Sequence, residues 1–68
     1  MLEYKGYHTE MHFDEEDNIY YGIIENISDL ISFHSDTKED FEKEFHISVD
    51  DYLEFCKELG KSPEKEKL

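Results

Sequence analysis

The side chains with chemistry to offer in this 68-residue chain are carboxylates, four imidazoles and one thiol. Asp14, Glu15, Glu16 and Asp17 stand in a row, and Asp50 is followed directly by Asp51. A metal-dependent nuclease needs several carboxylates converging on two ions. Four acids crowded on one loop are not preorganised for that, and neighbours on a helix diverge by about 100°. No catalytic residue, metal site or cofactor is therefore expected. His8, Glu10 and His12 share one face of an alternating stretch, but residues two apart on a strand are separated by about 6.6 Å and residues four apart by about twice that. One pair could hold an ion and all three could not, so ordinary polar alternation explains them. His34 and His46 have no partner legible in the sequence. Cys56, the single cysteine, falls within an apolar helical sector and should be a small buried hydrophobe.

The acids have a second use as a recognition surface. Seven basic against nineteen acidic residues give a formal charge of −12. That field repels phosphate backbones, so nucleic acid is not an expected partner of this chain alone, and a basic protein is. The loop bearing Asp14, Glu15, Glu16 and Asp17 should form an exposed hairpin tip able to reach such a protein. Asp50 and Asp51 lie on or beside the solvent stripe of a helix, with Ile47 its one apolar member. These seven residues are the candidate partner contacts.

The elements that position them follow from periodicity. Residues 36–60, DTKEDFEKEFHISVDDYLEFCKELG, should form one long amphipathic helix. Asp36 can cap its start, with Glu39 as capping-box partner, and Gly60 fits the position just past its end. At about 100° per residue, Phe41, Phe45, Val49, Tyr52, Cys56 and Leu59 share a sector, flanked by Leu53 and Ser48. Lys43, Ile47, Asp50, Glu54 and Lys57 form the opposite stripe.

Upstream, residues 7–13 alternate as a half-buried strand, with Tyr7, Thr9, Met11 and Phe13 on one face. Residues 14–18 form the hairpin loop. Residues 19–26, IYYGIIEN, are apolar on both faces and should be a central strand covered from both sides, with Gly22 marking a close approach. Ser28 and Asp29 form a turn, and residues 30–34 form a third strand containing Phe33. The expected fold is α+β: a three-stranded antiparallel sheet with one long helix on one face, in the order βββα. One helix covers only one sheet face, so apolar surface should remain open to a partner or a second copy, and oligomerisation follows as an expectation. Residues 1–60 form the domain and residues 61–68, KSPEKEKL, a charged tail or linker. No apolar run is long enough to cross a membrane, and the N-terminus MLEYKGYHTE has no signal-peptide core, so a soluble cytoplasmic protein is expected.

The runs YKGY (4–7), FDEEDNIYYG (13–22), DLISFHSDT (29–37) and FEKEFHISVDDYLEFCKELGKSPEK (41–65) together resemble the N-terminal domain of HicB-family antitoxins of bacterial toxin–antitoxin modules. The resemblance spans nearly the whole chain. It implies a partly degraded RNase H-like fold serving as an inhibitor, which binds a small basic mRNA-cleaving toxin of the HicA type and blocks its active site. Negative potential suits that task, because the surface must compete with RNA. Members of the family commonly continue into a DNA-binding segment, whereas this sequence stops at Leu68, so operator binding is not carried over. Ile47 and Ser35 stand where the family more often has polar and Gly residues. A competing reading is an orphan structural or oligomerisation module without toxin or DNA-binding segment.

Overall fold

The computed structural model describes residues 2–63; residues 64–68 of the charged tail lie outside the described residues. Five short strands precede one helix: β1 (Leu2–Tyr4), β2 (Tyr7–Thr9), β3 (His12–Asp14), β4 (Ile19–Ile23), β5 (Ser32–Ser35) and α1 (Lys38–Glu58). β1 and β2 form an antiparallel hairpin, and β3–β4–β5 form a three-stranded antiparallel sheet with β4 at its centre. The helix lies chiefly along β5. This is the expected α+β arrangement with an added two-stranded sheet.

β1 is the element absent from the sequence expectation. Lys5 and Gly6 form its two-residue turn with φ of +52° and +85°, left-handed at both positions, the geometry that matches the twist of a tight hairpin. The stretch 7–13, expected as one strand, is interrupted at Glu10 and Met11. Its pairing nevertheless continues in step: the Glu25 N–H donates to the His8 carbonyl at 2.9 Å, in the register that His12 opposite Tyr21 sets further along. The interruption lies across from Gly22. A Cβ there would stand 2.8 Å from Thr9 Oγ1, 2.9 Å from the Glu10 carbonyl oxygen and 2.9 Å from Phe41 Cζ. The close approach expected at Gly22 thus comes from three neighbours at once.

The helix obeys its periodicity. Phe41, Phe45, Val49, Tyr52 and Cys56 are buried and join Tyr7, Ile24 and Phe33 in the core. Phe33 packs between Phe41 and Phe45, with ring centroids at 5.1 and 5.7 Å. Tyr7 meets Tyr52 edge-on at 6.0 Å. The buried Thr9 hydroxyl donates to the Ile23 carbonyl at 2.7 Å, which removes the cost of an orphaned polar group.

Two expectations about the helix are corrected. Asp36 is not the N-cap: Thr37 is, with extended backbone and its hydroxyl oxygen accepting from the Asp40 N–H at 3.1 Å. Leu59 is not part of the core and is 61% exposed. A 21-residue helix is about 31 Å long, whereas strands of three to five residues reach about 10–17 Å, so its C-terminal end overhangs the sheet. Gly60 does end the helix, with φ +68°. Its N–H donates to the Lys57 carbonyl and that of Lys61 to the Cys56 carbonyl, the paired bonds of a Schellman cap.

The central strand, expected to be covered from both sides, is covered on one only among the described residues. Gly22 and Ile24 face the helix and are buried, whereas Tyr21 and Ile23 point to the other face and are each 44% exposed. Among the described residues no helix is long and apolar enough to cross a membrane.

Candidate functional site

The seven acidic and apolar candidates separate into three places. The hairpin tip carries Glu15, Glu16 and Asp17 exposed between β3 and β4. Asp14 belongs to the tip's architecture and not to its outer surface. It is half-buried, and its Oδ1 accepts from the N–H groups of Glu16 and Asp17 at 3.0 and 3.4 Å, the local bonding that favours Asp at turns.

Asp50 and Asp51 lie on opposite flanks of α1. Asp50 faces the first hairpin: Lys5 Nζ donates to its Oδ1 at 2.9 Å, and the Tyr4 hydroxyl reaches both oxygens at 3.2 and 3.3 Å. Tyr4 also stacks on His46, with centroids 4.0 Å apart. The hydrogen bond from Lys5 holds the Asp50 carboxyl below its ordinary pKa, and the same contact raises Lys5. Asp50 therefore fastens the helix to the β1–β2 turn, and its charge is already matched.

Ile47 and Asp51 meet on the other flank, where α1 and the outer edge of β5 enclose a groove. Two cavities lie end to end along it. The larger, of about 500 Å³, is walled by Ile31 and Ser32 on the strand side and by Ser48, Asp51 and Phe55 on the helix side. The smaller, of about 330 Å³, is walled by His34 and Ser35 facing Asp40, Glu44 and Ile47. Ile47 is 51% exposed and Phe55 53%. Asp40, Glu44 and Asp51 are in no ion pair among the described residues, and the smaller cavity has one cation, Lys43. At the far end Lys61 pairs with Asp29 at 3.1 Å, which neutralises that carboxylate and raises the Lys61 pKa.

Asp40, Glu44 and Phe55 were not anticipated as surface determinants. Their signal was present in the spacing, since residues 40, 44, 47, 51 and 55 recur at three- and four-residue steps on one helical stripe. The open sheet face was expected in outline, and the structure places Tyr21 there with His12 stacked on it at 5.3 Å. His8 lies 3.4 Å from Glu3 on the neighbouring strand, and not in a cluster with Glu10 and His12. Among the described residues no three His, Cys, Asp or Glu side chains converge where they could hold a metal ion. Cys56 is fully buried, as its place in the apolar sector implied.

No protein-family model matches this chain, and neither a curated protein nor a solved structure matches it.

Proposed function

We propose that this chain is an antitoxin-like binding domain that holds a small basic mRNA-cleaving protein of the HicA type and occludes its RNA-binding surface. The observation that carries the reading is the row of carboxylates Asp40, Glu44 and Asp51, in no ion pair among the described residues and interleaved with the exposed apolar side chains of Ile47 and Phe55. Charge alone would serve solubility. Apolar groups set among like charges offer a basic protein both attraction and area to bury. The likeness to HicB supports the same reading, and the formal charge of −12 suits competition with RNA. The proposal involves no catalysis by this chain.

The test uses the small basic protein that co-purifies with the full-length chain at low salt, assayed for mRNA cleavage alone and with the chain added. The expected result is cleavage by the partner alone, suppression at a fixed stoichiometric ratio, and recovery of cleavage as salt rises. Cleavage undiminished by excess chain would remove the antitoxin reading.

A second reading, an oligomerisation module, is favoured by a different observation: Tyr21 and Ile23 lie side by side on an open sheet face. Sedimentation of the full chain distinguishes the two, because only this reading expects a concentration-dependent dimer that Ile23→Glu dissolves.

A further inference from the structure

The groove between α1 and β5 has the geometry of a site for an added strand. In the β4–β5 ladder the Ile24 N–H donates to the Ile31 carbonyl at 3.0 Å. Antiparallel pairing alternates, so Phe33 and Ser35 also turn their backbone groups inward, to Gly22 and Tyr20. Ser32 and His34 consequently turn theirs outward along the free edge of β5, where no backbone partner meets them among the described residues. An unpaired edge of this kind is a template for another extended chain.

The helical wall above that edge is spaced to match one. Residues four apart on a helix are about 6.0 Å apart along its axis, and side chains on the same face of a strand are about 6.8 Å apart. Along the wall the sequence of groups is Phe55, Asp51, Ile47, Glu44 and Asp40, alternating apolar and acidic before ending in two acids. From Phe55 to Asp40 is about 22 Å, close to the reach of a seven-residue strand. A strand laid against β5 would present every second side chain to this wall, and the complement is an apolar residue followed two positions later by a basic one, repeated.

We propose that the β5–α1 groove binds an extended segment of a basic protein by strand addition to Ser32 and His34, selecting alternating apolar and basic side chains through Phe55, Asp51, Ile47 and Glu44. This rests on the reading of the chain as a binder of basic proteins and names the surface and the mode. Backbone bonds to β5 would supply sequence-independent hold, and the wall would supply selectivity. The flank bearing Asp50 is excluded from the site, since Lys5 and Tyr4 occupy it.

The test is a titration of the isotopically labelled full-length chain with the acetylated, amidated heptapeptide Val-Thr-Lys-Thr-Val-Thr-Lys, followed by amide spectra and hydrogen exchange. The expected result is slowed exchange at the Ser32 and His34 amides. Binding should be at least about tenfold tighter than to a peptide of the same composition in block order, and should weaken about tenfold in Asp51→Lys and in Ile47→Asp. Both substitutions sit on the exposed helix flank, and unchanged amide spectra outside the groove would verify that each variant is folded. Equal binding of the two peptides, no binding, or perturbation centred on Tyr21 and Ile23 without protection at Ser32 and His34 would overturn the proposal. The titration needs no ribonuclease, so the two readings fail separately. Protection at β5 without inhibition of RNA cleavage removes only the antitoxin reading, and inhibition that survives both substitutions removes only the groove.

Discussion

The ring of Phe41 comes so near the backbone of Gly22 that a Cβ at that position would stand 2.9 Å from Cζ. Phe41 is the first core residue of α1, and Gly22 lies on the helix-facing side of the central strand, so this contact fixes how closely the helix lies on the sheet. A ring edge can shift, but the Glu10 carbonyl oxygen at 2.9 Å is backbone, and Thr9 Oγ1 at 2.8 Å already donates to the Ile23 carbonyl. Gly22→Ala should therefore destabilise the fold by about 1–3 kcal/mol, the usual range for overpacking. In a domain of this size that lowers the thermal midpoint by several degrees per kcal/mol. A thermal midpoint equal to or above that of the parent chain would show that the sheet and helix are free to separate here.

The start of α1 offers a test of one oxygen against its neighbour. The Thr37 hydroxyl accepts the Asp40 N–H, while the Asp36 side chain makes no hydrogen bond among the described residues. Thr37→Ala should cost about 1 kcal/mol, as removal of an N-cap does. Asp36→Ala should cost much less, since only its charge near the helix start is lost. Urea denaturation of the two variants decides it, and a larger loss for Asp36→Ala would return the cap to that residue.

That reversal shows what periodicity carries and where it stops. The buried stripe from Phe41 to Cys56 was legible because its period is a property of the helix alone. The cap was ambiguous because Asp36 with Glu39 and Thr37 with Asp40 are equivalent patterns shifted by one residue, and only the backbone conformation at Thr37 separates them. The break at Glu10 and Met11 had no local signal, since it lies across from Gly22 on another strand. β1 escaped notice because three residues give no period to detect, and Lys-Gly is a weaker turn signal than Asn-Gly. Ile47 and Asp51 were identified individually. That they share a groove with Asp40, Glu44 and Phe55 depends on β5 lying beside that flank of α1, a tertiary fact. Asp50 looked as available as Asp51 because nothing in the sequence announces that Lys5, 45 residues away, reaches it.

The Lys5–Asp50 contact has a pH signature with two edges. Lys5 lowers the Asp50 pKa, chiefly through its hydrogen bond, assisted by the Tyr4 hydroxyl and the nearby His46. A carboxyl lowered on folding stabilises the fold above its unfolded value, ordinarily 3.8, and that contribution is lost as pH falls through the folded value. Lys5 is raised, so its contribution is present below its ordinary 10.5 and is lost as pH rises through the folded value. Between those limits the difference in thermal midpoint between the parent chain and Asp50→Asn should be small, constant and reduced by salt, because both side chains are exposed to solvent. It should shrink below pH 3.8 and above pH 10.5. The comparison must be made variant against parent, since protonating the many other carboxylates of a chain of charge −12 changes its overall self-repulsion at the same time. A midpoint difference that stays level through the acid limit would mean that Asp50 is not held by Lys5 in solution. The β1–β2 hairpin would then be held to the helix through its ring contacts, Tyr4 on His46 and Tyr7 on Tyr52.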